Sequence, residues 1–412
     1  MPNKLSKRIN HERFNRYVKR SSEVGRTDNN GLHRLALSQA DKEIRDQLKV
    51  WFEQAGLTTT VDDFGNMYGR REGKNPHLKP IVIGSHLDTQ PYGGRFDGVL
   101  GVLAGLEVVE SLNDDHIQTE RPIVIVNFTN EEGARFPQPM LGSGAITEHF
   151  NKSFVYEIQD EKGITFEQAL QEIGYVGKEE YRLKEAEYYL ELHIEQGPML
   201  ERNSKQIGVV GGIQGMDWLD VNVIGEKNHA GPTAMEDRKD ALASSARMIS
   251  TLYEITNSYS GLKTTVGKLH VHPNVANVVP GNVEWVLDVR HEDDTLRMTA
   301  LDEMRHALKQ QAALDGTSVT VNELWASPAV LFDEDVLGAI EKSTDNLGLT
   351  RMKLYSGAGH DSKYMPYFGK TGMIFIPSVQ GVSHREDELS HDHDLHNGVE
   401  VLLHTVMQLD AN

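Results

Sequence analysis

Residues 123–133 read Ile-Val-Ile-Val-Asn-Phe-Thr-Asn-Glu-Glu-Gly, an unbroken apolar run that ends in two adjacent glutamates. A run of β-branched residues bounded by polar ones describes a strand covered on both faces, as in α/β layers with helices above and below the sheet. Glu131 and Glu132 then sit just past the carboxyl end of a buried strand, where polar residues usually mark a site. The same grammar recurs upstream, where residues 81–83 run into Gly84-Ser85-His86-Leu87-Asp88-Thr89 and a short loop leads to Gly93-Gly94-Arg95-Phe96-Asp97-Gly98. His193 in Leu192-His193-Ile194-Glu195-Gln196-Gly197 and His384 in Gly381-Val382-Ser383-His384 also close apolar runs. Imidazoles and carboxylates gathered in this way suit borderline and hard divalent cations.

Composition narrows the chemistry. A chain of 412 residues is too long for one ordinary core, so two domains are expected. No run approaches the roughly twenty apolar residues of a membrane span, and the basic start, Met1 to Arg8, has no apolar core of a secretory signal; a cytoplasmic enzyme is expected. With no cysteine, disulfides and thiolate ligands are excluded, and any metal must be held by nitrogen and oxygen. Lys and Arg number 42 against 61 Asp and Glu, a formal charge of -19. That balance disfavours nucleic acid and anionic membranes as partners.

Residues 1–57 are expected to be helical, with apolar spacing over 41–52 and Gly56 as a stop. From 61 to 215 strands, loops and helices alternate. Residues 99–112 read as a buried helix that approaches the sheet closely through Gly101 and Gly105. Between about 213 and 330 the texture changes: 218–224, 283–289 and 318–321 alternate, while 240–255 and 296–308 are helical. The order strand, helix, strand, strand, helix, strand predicts a small α+β sandwich with one solvated sheet face. The expected organisation is a mixed-sheet α/β catalytic domain, residues 1–213 and 330–412, with an α+β domain inserted at 214–329.

The site chemistry follows from the residue types. Asp97, between Phe96 and Gly98 at a helix entrance, suits a carboxylate that bridges two cations. His86 and His193 could complete one metal, Glu132 and His384 the other. Metals about 3.5–4 Å apart polarise a carbonyl and lower the pKa of a shared water. Glu131, directed away from Glu132 if the backbone is extended, would be the general base. Asp88, two residues after His86, would orient its ring as a hydrogen-bond acceptor. Ser390-His391-Asp392-His393-Asp394-Leu395-His396 reads instead as a solvated polar loop. In the insertion, Asn228-His229-Ala230-Gly231-Pro232-Thr233 places an imidazole before a tight turn, Arg290 could hold a carboxylate through its planar fork, and Asn277 could add an amide donor.

These motifs together resemble the M20 metallopeptidase-like amidohydrolases, specifically the N-carbamoyl-L-amino-acid hydrolase, β-ureidopropionase and allantoate amidohydrolase subgroup. The likeness runs from about residue 30 to the C-terminus. It is carried by Gly84-Ser-His-Leu-Asp-Thr-Gln-Pro91, Gly94-Arg-Phe-Asp-Gly-Val-Leu-Gly-Val102, Asn130-Glu-Glu-Gly-Ala-Arg-Phe136, Leu192-His-Ile-Glu-Gln-Gly197, His229-Ala-Gly-Pro-Thr233 and Ser356-Gly-Ala-Gly-His-Asp-Ser362. The resemblance implies a di-metal aminopeptidase-like domain with a lid that also forms a homodimer contact. It implies two divalent ions per subunit (Zn, Mn, Co or Ni), held by His86, Asp97 and His193 and by Asp97, Glu132 and His384. It makes Glu131 the base, and His229 of the partner subunit the support of the oxyanion. Gln196, Gln214, Asn277, Arg290 and the Gly359 backbone match substrate contacts, for a small molecule carrying a carboxylate and a ureido group. The implied reaction is hydrolysis of an N-carbamoyl-L-amino acid to amino acid, ammonia and carbon dioxide. Ala234, where similar enzymes often carry proline, and Met216-Asp217 before Trp218 depart from the pattern. A dipeptidase and an inactive metal-binding scaffold are the competing readings.

Overall fold

The computed structural model describes residues 8–411; residues 1–7, most of the stretch read as lacking a secretory signal, lie outside the described residues. Two compact units result. One comprises the chain up to Gly211 and again from Phe332, and the other is Gly212–Leu331. The second unit spans residues 212–331, against the 214–329 expected, and Ile213 pairs antiparallel with Val330 and Gly212 with Leu331 at its two ends.

In the first unit the apolar runs form the centre of a mixed sheet. Ile123–Phe128 pairs parallel with Ile81–His86, which pairs parallel with Tyr188–Ile194, which pairs parallel with Lys370–Ile376. Met67–Arg71 and Thr58–Val61 extend one side antiparallel, and Ile207–Ile213 the other. Every residue of Ile81–His86, Ile123–Phe128 and Tyr188–Ile194 is buried, which is why these strands lack polar alternation. Helix Val99–Asp114 lies against them through glycine: a Cβ on Gly101 would fall 2.9 Å from the Leu192 carbonyl oxygen.

The expected helix over 1–57 is broken. Helices His11–Ser21 and Gln39–Gln54 are present, but residues 22–38 form an irregular strap. Gly25, Asn30 and Leu37 have positive φ, which no helix accommodates. Arg34 is fully buried within it and donates to the carbonyls of Ser21, Val24 and Leu87, tying the strap to the His86 loop. The histidine-rich run is also not a loop. It opens helix Asp392–Asp410, buries Asp394 and Leu395, and stacks His396 on His11 at 4.0 Å.

The second unit is a four-stranded antiparallel sheet in the order Ser318–Ser327, Gly215–Ile224, Asn282–His291, Lys263–His272. Lys263–His272 is the strand that the sequence pattern required but did not locate, because only a few of its residues are even partly buried. Helices Ala241–Ser258 and Asp294–Leu314 cover one face. Leu219, Val221, Val223, Val283, Trp285, Leu287 and Val289 interdigitate with Met248, Leu252, Leu301 and Met304. Leu287→Ala is expected to destabilise this unit by about 2–5 kcal/mol, the cost of a cavity in a closed core. Urea unfolding followed by tryptophan fluorescence should show the lower midpoint, since Trp285 lies in the same cluster. Among the described residues no helix is long and apolar enough to cross a membrane.

Candidate metal centre

The site lies at the carboxyl ends of the parallel strands. His86 is the last residue of Ile81–His86, His193 is the penultimate residue of Tyr188–Ile194, and Glu131 and Glu132 follow Ile123–Phe128. Asp97 comes from the loop before helix Val99–Asp114. Gly98, its neighbour, has φ 66°, and a Cβ there would stand 2.3 Å from the His86 ring, so the helix entrance requires glycine.

Asp97 is the centre of the arrangement. Its Oδ1 lies 3.1 Å from His193 Nε2 and 3.8 Å from His86 Nε2, while Oδ2 lies 3.2 Å from His384 Nε2. Glu132 Oε2 is 3.5 Å from the same His384 nitrogen. The ligand atoms of His86, Asp97 and His193, and those of Asp97, Glu132 and His384, each lie within 4.8 Å of one another. Glu131 belongs to neither set, yet its Oε2 is 3.4 Å from His86 Nε2.

The donor chemistry fits two divalent cations. His86 Nδ1 is 2.8 Å from the Asp88 carbonyl oxygen and His193 Nδ1 is 2.8 Å from that of Ile194. A carbonyl accepts only, so each ring carries a proton on Nδ1 and turns Nε2, the atom that would ligate a cation, toward Asp97. The Gly98 N–H also lies 3.2 Å from His193 Nε2. Burial pushes Glu131 well above the usual carboxylate range, and the charges of Asp361, Glu132, Asp97 and Asp88 push the same way. Glu132 rises to about 8 by burial and the charge of Asp97. Burial pulls His86 down to about 4; it also opposes protonation of His193, but the hydrogen bond and charge of Asp97 prevail and raise that ring to about 9. Carboxylates that repel one another in a dry pocket are what cations neutralise.

Asp88 meets the His86 ring through its backbone carbonyl. The carboxylate instead accepts the N–H groups of Glu131 and Glu132, each at 3.3 Å. Glu131 and Glu132 are not in extended backbone, because Asn130 has φ 59° and bends the chain, and both carboxylates therefore reach the pocket, one beside His86 and one beside His384. Gln196 donates from Nε2 to Asp97 Oδ2 at 2.7 Å, and its buried Oε1 has no hydrogen-bond partner.

Sequence reasoning missed Gln90, which donates to Glu132 Oε2 at 2.8 Å, and Glu388, which is buried beside Asp97. It also left unused the layer behind His193. There Glu191 accepts from Ser85, Tyr189 and Ser362, and Asp361 accepts from Ser143. Glu191 and His360 come close enough to His193 to form a further three-residue group. Because the Glu191 oxygens are already hydrogen-bonded, this layer supports the ligands. Only its sequence position, within Ser356-Gly-Ala-Gly-His-Asp-Ser362 and two residues before His193, could have drawn attention to it.

The remaining candidates are placed as follows. Gly359 lies in the first unit, where an added Cβ would meet Met140 at 3.0 Å. In the second unit His229 and Asn277 share a small ribbon: His229 pairs with Val278, and the Asn277 carbonyl accepts the Ala230 N–H at 3.0 Å. His229 is exposed, and its Nδ1 accepts the Gly231 N–H at 3.0 Å. Arg290 donates through Nε and Nη2 to the carboxylate of Asp288, two residues before it on the same strand. Gln214 Nε2 donates to Glu292 at 3.3 Å.

Residues 82–408 match the sequence pattern of peptidase family M20/M25/M40. An N-carbamoyl-L-amino-acid amidohydrolase of Rhizobium meliloti is 38% identical, over 98% of this chain and 97% of its own. An allantoate amidohydrolase of Bacillus subtilis is 32% identical, over 95% and 96% respectively. The solved structure of an amidase of the hydantoinase/carbamoylase family from Burkholderia multivorans superposes with a TM-score of 0.95 at 38% identity, covering 99% of each chain.

Proposed function

The chain belongs to peptidase family M20/M25/M40, and from that premise we propose that it is a hydrolase that cleaves N-carbamoyl-L-amino acids to the amino acid, ammonia and carbon dioxide. The observation that carries the reading is Asp97, which faces two histidines with one oxygen and a third with the other, beside an unliganded Glu131. His86, Asp97 and His193 would hold one divalent ion, and Asp97, Glu132 and His384 the second. Cations held there would supply Lewis acidity toward the ureido carbonyl and lower the pKa of the attacking water.

The chain's own residues do the rest. Glu131 takes a proton from the attacking water and delivers it to the departing amino nitrogen. Water adds to the ureido carbon, the bond to the amino-acid nitrogen breaks, and the carbamate released decomposes to ammonia and carbon dioxide. His229, its Nδ1 already accepting, offers Nε2–H to the oxyanion, from the partner subunit of a homodimer. Arg290 grips the substrate carboxylate; Gln214 and Asn277, in the same unit, and Gln196 and the Gly359 backbone, in the first unit, are the further substrate contacts of this reading.

The reading is tested by coupled detection of ammonia from N-carbamoyl-L-amino acids, N-carbamoyl-β-alanine and allantoate, beside a dipeptide panel. Release from N-carbamoyl-L-amino acids supports it, whereas cleavage of dipeptides alone would replace it with a peptidase. Arg290→Ala is expected to raise KM for carboxylate substrates about 10- to 100-fold, the loss of a charge-assisted pair. kcat should hardly move, and an uncharged ureido amide should be hydrolysed as before. An equal loss on both substrates would remove the clamp.

A further inference from the structure

Glu388 is a buried carboxylate with no part in the chemistry above. Its Oε1 accepts the backbone N–H groups of Phe96 and Asp97, at 3.1 and 3.2 Å. Its Oε2 accepts the Ser383 hydroxyl at 2.8 Å, and Ser383 precedes His384. The same hydroxyl lies 3.3 Å from Asp97 Oδ2 and 3.2 Å from Gln196 Nε2. One carboxylate thus joins the loop of the bridging aspartate to the loop of His384, although 291 residues separate Asp97 from Glu388. Room for it is left by Gly94, where an added Cβ would fall 2.0 Å from the Glu388 carboxyl carbon.

The two halves of the centre are built differently. His86 and His193 sit at buried strand ends, with their rings fixed by backbone carbonyls that do not involve Glu388. Glu132 is held by Gln90. His384 has a left-handed backbone, half its side chain is exposed, and its ring meets Asp97 and Glu132, which are themselves ligands. Its place is set by the loop that Ser383 anchors on Glu388.

We propose that Glu388 is a positioning residue that locks the Asp97 turn and the His384 loop together, and so selectively maintains the cation half-site of Asp97, Glu132 and His384. The proposal rests on the two-cation reading above. Removing the carboxylate frees the His384 loop and leaves two buried N–H groups without an acceptor, while His86 and His193 keep their orientation.

The test is titration of the chelator-stripped full chain with Zn²⁺ and Co²⁺, reading stoichiometry, affinity and the Co²⁺ absorption spectrum. Wild type is expected to take up two equivalents. Glu388→Ala should keep one tight equivalent and bind the second about 10- to 100-fold more weakly, as loss of a ligand-supporting partner does, with a Co²⁺ spectrum altered for that equivalent only. Glu388→Gln, which keeps an oxygen for the two N–H groups, should recover most of the affinity. Gly94→Ala, whose backbone lies outside the left-handed region, should displace the carboxylate and act as Glu388→Ala does. It carries the test if Glu388→Ala fails to fold, with Ser383→Ala beside it. Equal binding of both equivalents by the variants and wild type, or equal loss of both, overturns the proposal. Wild type taking up fewer than two cations overturns the two-cation reading and this proposal with it.

Discussion

Glu131→Gln is expected to lower kcat by about 10²- to 10⁴-fold, the range associated with a positioned general base, while the cation content of the protein stays at the wild-type level. The geometry separates these effects. Glu131 is in neither three-residue ligand set, yet its Oε2 is 3.4 Å from His86 Nε2, a ligand atom of one of them. Its backbone is held independently of its side chain, with its N–H on Asp88 and its carbonyl oxygen on Met140 N–H at 2.7 Å. Glutamine fills the same volume and keeps a hydrogen-bonding head, so neither the bend at Asn130 nor the placement of Glu132 is disturbed. Only the ability to accept a proton is removed. Ammonia release and metal analysis on one preparation make the measurement. A variant that retains both its cations and its turnover would remove Glu131 from the role of base, and one that loses cations would make it a ligand.

The site was more legible in the sequence than the strap and supports around it, and the reason is physical. Ligands at strand ends announce themselves because a buried apolar run such as 123–126 has few positions for polar residues, so His86, Glu131, Glu132 and His193 stand out by contrast. Gln90 and Glu388 lie in polar loops where nothing sets them apart, and their importance comes from folding against residues far along the chain. Spacing alone leaves open which part of Asp88 meets the His86 ring. The backbone carbonyl of the same residue takes that place and the carboxylate is spent on the Glu131-Glu132 turn. Residues 22–38 failed for a related reason: Arg34 counts as surface in any sequence pattern, yet three carbonyl acceptors make its burial tolerable. In the second unit the alternation of 218–224 and 283–289 suffices to place those two strands, though not Lys263–His272. It gave no sign that Arg290 would be engaged by Asp288.

Replacing His229 by alanine is expected to reduce kcat by about 10²- to 10³-fold with little change in KM, the cost of one lost oxyanion donor. The ring is prepared for that task. With Nδ1 accepting from Gly231, the neutral imidazole carries its proton on Nε2 and can donate without first being charged. It stands on an exposed two-stranded ribbon and not in the core, so its truncation should leave the fold and its melting temperature unchanged. Whether it serves its own subunit or its partner is decided by mixing. His229→Ala and Glu131→Gln subunits are each inactive alone. If His229 acts across the dimer, a hybrid has one site with neither lesion and one with both. Random re-pairing then recovers about a quarter of wild-type activity, since half of the dimers are hybrids with one working site each. If His229 acts within its own subunit, every site in the hybrid carries one lesion and nothing is recovered. Activity that returns on dissociation and re-pairing, with kinetics that follow subunit exchange, is the expected result; its absence from demonstrated hybrids would confine His229 to its own subunit.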